Sequence, residues 1–256
     1  MTAFDDIVSG QRLSVSASLF VVYRRCPQQA LSRLAGVYPP TTRASFKGSL
    51  AHRIFARHLE EGPIDDADFE RVCRREAGSN LSGAMASLRM KPSQFRAITA
   101  EIADIYERFR AIPADGFVEA EAPIEVEPVD GVVIRGRVDA VFRQDGDVHI
   151  VDWKTGVGLD GAELQLDFYA MAWEMAFGER PCMLEAVSVR TGERLVRTPT
   201  DVDVERVRCD VARMVDELRL ASAAGRELTR TAGPFCRWCP LLETCSEGAT
   251  ALDLLG

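Results

Sequence analysis

The chain has 256 residues, of which 46% are hydrophobic and 27% charged, and its formal net charge at pH 7 is −8. These values predict a single globular domain, 1–256, and the acidic balance by itself does not indicate a nucleic-acid-binding protein. No apolar run is long enough to cross a membrane and the first residues lack a secretory signal pattern, so we expect a cytoplasmic protein without a membrane partner. Seven cysteines, an odd number, argue against a disulfide framework.

The first 111 residues are predicted to be mainly helical. Good capping residues open the first helix, which ends at Cys26-Pro27. The second helix carries an apolar stripe at helical spacing, formed by Leu50, Ile54, Phe55 and Leu59. A loop containing Gly and Ser joins the third helix to the fourth. The predicted helices are residues 14–25, 46–60, 65–77 and 93–111.

Positive charge is concentrated in this helical region. Residues 7–59 contain eight Lys and Arg and no Asp or Glu. Such a segment predicts a surface for a polyanion, but solvated helix faces would give the same pattern, and charge alone leaves the two interpretations even. The eight residues are Arg12, Arg24, Arg25, Arg33, Arg43, Lys47, Arg53 and Arg57.

Residues 112–200 are predicted to form a sheet core, and residues 201–256 a helix and a cysteine-rich tail. Alternating apolar residues and turn dipeptides mark five strands, with a helix between the third and the fourth. This order of elements predicts an α/β fold with a central mixed β-sheet flanked by helices. The strands are predicted at 117–126, on either side of Asp145-Gly146, at 183–189 and at 193–197; the helices are predicted at 162–177 and 201–224.

The central hairpin places three charged residues on one face. If Asp145-Gly146 is a two-residue turn, Asp139 lies directly opposite Asp152, and Lys154 projects on the same side as Asp152. Two carboxylates opposite one another repel, so a cation is expected between them. Oxygen ligands of this kind suit Mg²⁺ or Mn²⁺, which would activate water for phosphodiester hydrolysis. Lys154 could position or help deprotonate that water, or offset charge on the phosphate.

The tail contains three cysteines within ten residues, which is a spacing typical of metal ligands. Cys26, at the end of the first helix, is the candidate for a fourth ligand, because the remaining three cysteines fall within predicted helices or strands, where a lone cysteine is expected to be a small buried apolar residue. Four thiolates suit an iron–sulfur cluster or zinc. The alternative is a reduced tail without a metal. The tail cysteines are Cys236, Cys239 and Cys245, and the remaining ones are Cys73, Cys182 and Cys209.

Six segments, in order, resemble the RecB-type branch of the PD-(D/E)XK nuclease superfamily in its iron–sulfur form. AddB-type nuclease domains and CRISPR-associated adaptation nucleases share that form. The resemblance implies a restriction-endonuclease-like core and a [4Fe–4S] cluster on Cys26 and the three tail cysteines. The Gln28-Gln29-Ala30 segment departs from the basic and aromatic residues that are frequent in the family. The segments are 13–27, 48–52, 136–139, 151–156, 165–169 and the cysteine tail.

The resemblance also implies individual roles. His52 would join Asp139 and Asp152 as a metal ligand, and Gln165 would orient Lys154 or the phosphate. Tyr169 would contact DNA, as would the basic residues Arg24, Arg25, Lys47 and Arg53. An acidic residue on the strand before the hairpin is also expected near the site. Glu121 matches it, and Glu119 lies on the same face by parity.

These observations predict a metal-dependent deoxyribonuclease that acts as an exonuclease on single-stranded DNA ends in repair, recombination or CRISPR adaptation. No phosphate-binding Gly-x-x-x-x-Gly-Lys loop is present, so a helicase or CRISPR adaptation proteins would be separate partners. Two alternatives belong to other classes. The first is a nucleic-acid-binding module with a vestigial site, and the second is a zinc-stabilised interaction protein.

Overall fold

The computed structural model describes Phe4, Gly10 and residues 12–255. The first half of the described chain is mainly helical. The predicted second and fourth helices are confirmed. The elements are β1 (Leu13–Val15), α1 (Ala17–Arg25), α2 (Pro27–Leu34), α3 (Arg43–Glu61), α4 (Phe69–Asn80), α5 (Ser82–Ser87) and α6 (Pro92–Phe109).

The second half contains the remaining strands, and its predicted strands and helices are confirmed to within a few residues at their ends. The tail cysteines lie on and beside two short 3-10 turns. None of the described helices is long and apolar enough to span a membrane. The elements are β2 (Phe117–Val129), β3 (Val132–Gln144), β4 (Asp147–Lys154), α7 (Ala162–Phe177), β5 (Met183–Ser188), β6 (Arg194–Arg197), α8 (Asp201–Ala224) and α9 (Ser246–Leu255).

The six strands form one mixed sheet in which β3 is central. One edge of β3 pairs antiparallel with β2. The start of β3 pairs in parallel with β1 and its end pairs antiparallel with β4, so these two strands share its other edge. The sheet continues with β5, parallel to β4, and β6, antiparallel to β5. The predicted central mixed sheet is therefore confirmed.

Helices cover both faces of this sheet. On one face α1, α7 and α8 bury a core that includes Phe20, Phe168 and Val215. On the other face α3, α4 and α6 bury a second core, in which Phe55 stacks on Phe109 with ring centroids 4.1 Å apart. The apolar stripe of the second predicted helix enters this second core, which fixes the rotation of α3 about its axis.

The β3–β4 turn has the predicted two residues. Asp145 has a φ of 52° and Gly146 a φ of 97°, as expected when both central residues of a tight hairpin turn adopt positive φ. The observed register pairs Gln144 with Asp147 and continues to Ala140 opposite Val151. Continued by one residue, this register would place Asp139 opposite Asp152.

Three details differ from the prediction. Ser14 and Val15 belong to strand β1, and the first helix begins later because the N-cap is Ser16, whose hydroxyl accepts a hydrogen bond from Leu19 N at 3.2 Å. Helix α4 begins at Phe69, after a turn, rather than at residue 65. Helices α2, α5 and α9 were not predicted. Pro27 at the first position of α2 allows a new helix to start directly after α1.

Two glycines offer a matched test of the hairpin turn. Gly146 has positive φ and Gly78, in α4, does not, while a Cβ at either position would meet no atom within 4 Å. We expect Gly146→Ala to lower the free energy of unfolding by about 1–2 kcal/mol, because an L side chain is strained there. Gly78→Ala should raise it by about 0.5–1 kcal/mol. Urea denaturation measures both, and equal effects would contradict the turn geometry.

Candidate active site

The strands β3 and β4 separate at Asp139, and this separation creates the site. The pairing of the two strands ends at Ala140 and Val151. Beyond it, Trp153 N donates a hydrogen bond of 2.7 Å to Oδ2 of Asp139. A side-chain carboxylate therefore accepts from the β4 backbone where a strand carbonyl would otherwise do so. The β3 edge is unpaired between Ile134, the last partner of β1, and Ala140.

Helix α3 contributes His52 to the same point. Its Nδ1 lies 2.9 Å from Oδ1 of Asp139, so the two oxygens of this carboxylate bridge helix α3 and strand β4. One turn earlier, a Cβ at Gly48 would lie 3.4 Å from Oγ1 of Thr155, the residue after β4. The glycine thus allows the helix to approach the end of β4 closely.

Strand β2 contributes Glu121 through an unusual backbone conformation. The pairs that flank it in the β2–β3 ladder place it opposite Asp139, yet its φ is 52°. A non-glycine residue in this region costs about 1–3 kcal/mol and persists only where the surroundings hold it. One potential metal-ligand atom from each of His52, Glu121 and Asp139 lies within 4.8 Å of the other two. Glu119, the other candidate on this strand, is exposed.

Two arginines balance the charge of Glu121. Its Oε2 accepts a hydrogen bond of 3.2 Å from Nη1 of Arg137 and lies 3.5 Å from Nη1 of Arg53. Arg53 belongs to the predicted DNA-binding set, whereas Arg137 was not singled out from the sequence. Its position in the Gly-Arg-Val-Asp segment, two residues before Asp139, was the available signal.

Asp152, Lys154 and Gln165 form a closed triangle of contacts. Nζ of Lys154 lies 2.6 Å from Oδ2 of Asp152 and donates to Oε1 of Gln165 at 2.6 Å. Nε2 of Gln165 donates to Oδ1 of Asp152 at 2.9 Å. The amide thus binds both ends of the ion pair, which fixes the position of the lysine ammonium group.

Tyr169 supports this triangle from the next turn of α7. Its hydroxyl accepts from Nε2 of Gln165 at 3.0 Å and donates to the carbonyl of Arg137 at 3.1 Å. A Cβ at Gly136 would lie 3.3 Å from Cε1 of Tyr169, so the glycine gives room for the ring against β3. The tyrosine is buried, and its contacts in the structure are with the protein's own Gln165 and β3 backbone.

The site is electrostatically crowded. Burial and the nearby Asp139 carboxylate raise the pKa of Asp152 to about 6, although Lys154 and His52 oppose the shift. Burial lowers the pKa of His52, but the carboxylates of Asp139, Asp152 and Glu121 outweigh it and raise that pKa to about 9. Without a metal, the site therefore favours protons on groups that a divalent cation would deprotonate.

The arrangement fits a divalent cation. Carboxylate oxygens and one imidazole nitrogen are suitable ligands for Mg²⁺ or Mn²⁺. Oδ2 of Asp152 is buried and, despite its 2.6 Å approach to Lys154, makes no hydrogen bond of acceptable geometry. Among the described residues, three donor atoms gather within 4.8 Å at His52, Glu121 and Asp139. Asp152, a predicted ligand, faces the same point but lies outside that group.

The four predicted cluster cysteines lie in one region, at the junction of the chain's two ends. Backbone N of Gln28 donates to the carbonyl of Thr229 at 3.1 Å, and Oε1 of Gln28 accepts from Leu228 N at 2.6 Å, so the residues after Cys26 are bound to the start of the tail. Burial raises the pKa of the Cys239 thiol, and three neighbouring thiols raise it further. Those neighbours are Cys26, Cys236 and Cys245.

The other three cysteines have different environments. Cys73 is fully buried in α4, as predicted for a small apolar residue. Cys182 and Cys209 are exposed, so the prediction of burial is wrong for them. Cys182 precedes β5. Cys209 lies on the exposed side of α8, outside the buried apolar face of that helix.

The predicted DNA-binding cations each have an acceptor on another element. Nζ of Lys47 lies 2.6 Å from Oε2 of Glu101 in α6, and Arg24 lies 3.4 Å from Asp210 in α8. Arg25 donates to the carbonyl of Asp160 at 3.5 Å. Exposed ion pairs of this kind are weak, so they leave the cations able to exchange an internal partner for a phosphate.

Comparisons with known proteins place the fold. A solved protein from Eubacterium rectale called a "putative exonuclease" is 13% identical with a TM-score of 0.50, covering 90% of this chain and 86% of that one. SSO0001, another solved protein, is 16% identical with a TM-score of 0.36, covering 78% and 98%. Gene 69 protein of Mycobacterium phage D29 is 39% identical over 67 residues, which span 26% of this chain and 24% of the phage protein.

The model of one protein family matches nearly the whole described chain. The match extends over residues 14–246, from strand β1 to the beginning of α9. It includes the converging residues of β2, β3, β4, α3 and α7 as well as the cysteine region. The chain belongs to the PD-(D/E)XK nuclease superfamily.

Proposed function

We propose that the protein is a divalent-metal-dependent deoxyribonuclease that acts as an exonuclease on single-stranded DNA ends. The observation that carries this proposal is the meeting of Asp139, Asp152 and Lys154 around the gap between β3 and β4, with His52 and Glu121 beside them. Membership of a nuclease superfamily supports hydrolysis of phosphodiester bonds. The description of the Eubacterium rectale protein as a putative exonuclease supports the exonuclease mode.

The metal-binding residues in this proposal are Asp139, Asp152 and His52, with Glu121 as a further ligand. When bound there, Mg²⁺ or Mn²⁺ would lower the pKa of a water molecule and neutralise charge that develops on the phosphate. Lys154 supplies a positive charge in addition to that of the metal ion. Its ammonium group is directed by Asp152 and Gln165, and it can donate to the attacking water or to a phosphate oxygen.

Gln165 and Tyr169 are positioning residues in this scheme. The amide holds Lys154 and Asp152 together, and the Tyr169 hydroxyl holds the amide against the β3 carbonyl. Their contacts require no substrate, so the lysine is oriented before DNA binds. Such preorganisation lowers the cost of reaching the transition state.

The proposed substrate is single-stranded DNA because the segment 7–59 has eight basic and no acidic residues and α3, which carries four of them, also carries His52. Phosphates could replace the weak internal partners of Arg24, Arg25, Lys47 and Arg53. A separate helicase or CRISPR adaptation proteins remain the proposed partners, in repair, recombination or CRISPR adaptation.

We further propose a [4Fe–4S] cluster on Cys26, Cys236, Cys239 and Cys245. The donor set is four thiols from two ends of the chain that the Gln28–Thr229 contacts bring together. Four thiolates are the usual ligands of such a cluster. The cluster would act as a structural clamp.

Removing Lys154 or the charge of Asp152 should abolish catalysis without unfolding the protein. We expect Lys154→Ala and Asp152→Asn to reduce Mn²⁺-dependent degradation of single-stranded DNA by about 100-fold or more, because a charge at the reacting centre is lost. Asp152→Asn should not lower the melting temperature in EDTA, since burial already disfavours the ionised carboxylate. An end-labelled oligonucleotide assay and a thermal melt measure the two effects.

Lys91→Ala is the matched control for the lysine variant, because Lys91 is exposed at the start of α6. It should retain wild-type activity. If purified Lys154→Ala degraded DNA as fast as this control, the catalytic assignment would be wrong. Retained DNA binding together with lost cleavage is expected for both active-site variants, whereas a vestigial binding module would show no cleavage in the wild type.

Replacing Cys26 should release the iron although this residue is remote in sequence from the other thiols. We expect Cys26→Ser to lose iron and visible absorbance and to melt at a lower temperature, because the clamp no longer closes a loop of almost the whole chain. Iron analysis and absorption spectra of anaerobically purified protein provide the measurement. Cys209→Ser, at an exposed cysteine, should keep wild-type iron content. Zinc without colour in the wild type would instead support the zinc-stabilised alternative.

A further inference from the structure

A cavity lies beside strand β1, away from the metal-binding residues. Its volume is about 530 Å³, and it is bounded by β1, the end of α2 and the last turns of α8. A cavity of this size can take a ligand the size of a nucleotide. The side chains that matter for its chemistry are Arg12, Arg33, Arg135, Tyr38, Leu220 and Asp216.

One wall of this cavity is cationic. Arg12 and Arg135 are exposed, and Arg33 is half-buried. Arg33 Nη1 donates to the carbonyl of Ser18 at 3.3 Å, but its buried Nε has no hydrogen-bond partner among the described residues. These three are among four arginines that line the cavity, the fourth being Arg219. Guanidinium groups gathered around one cavity, one of them with an unused buried donor, are suited to an anion such as a phosphate.

Beside these arginines the cavity offers exposed apolar surface and one acceptor, and Arg33 Cζ lies 6.0 Å from the centre of the Tyr38 ring. Tyr38 is 62% exposed and Leu220 52% exposed, values that are high for such side chains. Oδ1 of Asp216 is buried and has no hydrogen-bond partner within the part of the chain that the structure describes. An aromatic ring can stack on a base, and a carboxylate oxygen can accept from an N–H group on the edge of a base. Together these groups match the phosphate, the face and the edge of a nucleotide.

Strand β3 connects this cavity to the metal-binding residues. Gly136 faces Tyr169 of α7, so its neighbours Arg135 and Arg137 project from the other face of the strand, about 7 Å apart. Arg135 lines the cavity and Arg137 binds Glu121. Arg135 lies four residues, or about 13 Å, from Asp139 along the strand. The two arginines therefore place positive charge between the metal-binding residues and the cavity.

We propose that the cavity binds one nucleotide of the DNA strand, about two nucleotides from the phosphate that is cleaved. This inference rests on the proposed nuclease function and specifies how the strand lies on the protein. The phosphate contacts the arginines, the base stacks on Tyr38, and Asp216 accepts from its edge. The strand would follow β3 and be held at two separated points, so efficient binding requires a minimum length of DNA.

The test compares long and short DNA with variants at the cavity. Binding of fluorescently labelled octathymidylate and dithymidylate is measured by anisotropy in EDTA, where no cleavage occurs, and cleavage of the same two oligonucleotides is then measured with Mn²⁺. We expect Tyr38→Ala and Arg135→Ala to weaken binding of octathymidylate about fivefold or more, which corresponds to loss of one stacking or phosphate contact. Binding and cleavage of dithymidylate, which cannot reach from the site into the cavity, should not change.

Arg71→Ala is the matched control, because Arg71 is an exposed arginine on α4 that does not line the cavity. Wild-type binding of octathymidylate by both cavity variants, in a protein that cleaves DNA, would overturn the inference and leave the proposed function intact. An equal loss for both oligonucleotides would also overturn it, since the effect would then not arise two nucleotides away. A wild-type protein that neither binds nor cleaves DNA would overturn both. Melting temperatures confirm that each variant is folded.

Discussion

The structure depends on one substitution of hydrogen-bond partners: Asp139 accepts from the backbone of Trp153 where the β3–β4 ladder ends. If the ladder continued, Asp139 and Asp152 would form a directly opposed pair of like charges. By binding β4 with one oxygen and His52 with the other, the Asp139 carboxylate separates the strands and also recruits α3. Asp139, which separates the two strands, is thus also one of the residues that would bind the metal.

The cost of this arrangement is carried by the surrounding groups. Burying Asp152 disfavours its charge, and Lys154 with Gln165 offsets part of that penalty. Glu121 is held in a strained backbone conformation by β-pairing on both sides. A site with several unfavourable local features, all directed to one point, is typical of residues selected for activity rather than for stability.

The sequence was sufficient wherever a short-range rule decides the structure. Asp145-Gly146 determines the hairpin register, and the register determines which face carries Asp152 and Lys154. The helix with Gln165 and Tyr169 has the bounds predicted from the sequence. The role of His52 required the family resemblance, because nothing local relates α3 to the hairpin. Cys26 was already a candidate ligand from the spacing of the tail cysteines and the elimination of the other three.

What could not be predicted depends on tertiary contacts or on unusual dihedrals. Parity places Glu119 and Glu121 on one face, and only the positive φ of Glu121 distinguishes them. In the sequence, strand β1 resembles the capped start of a helix. It is a strand because it pairs with β3, more than a hundred residues away, and the local sequence does not indicate this pairing. The basic segment 7–59 looked free of acidic partners, yet Glu101 and Asp210, from α6 and α8, come to Lys47 and Arg24 in the fold.

The contacts of Gln28 with Leu228 and Thr229 have a consequence for biosynthesis. Residues at the beginning of the chain emerge from the ribosome first, but their partners in the tail emerge only after the whole sheet has been synthesised. Cys26 is therefore without its companion thiols while residues 27–235 are synthesised. Any metal centre that joins these four cysteines can be inserted only after residues 236–245 have been synthesised.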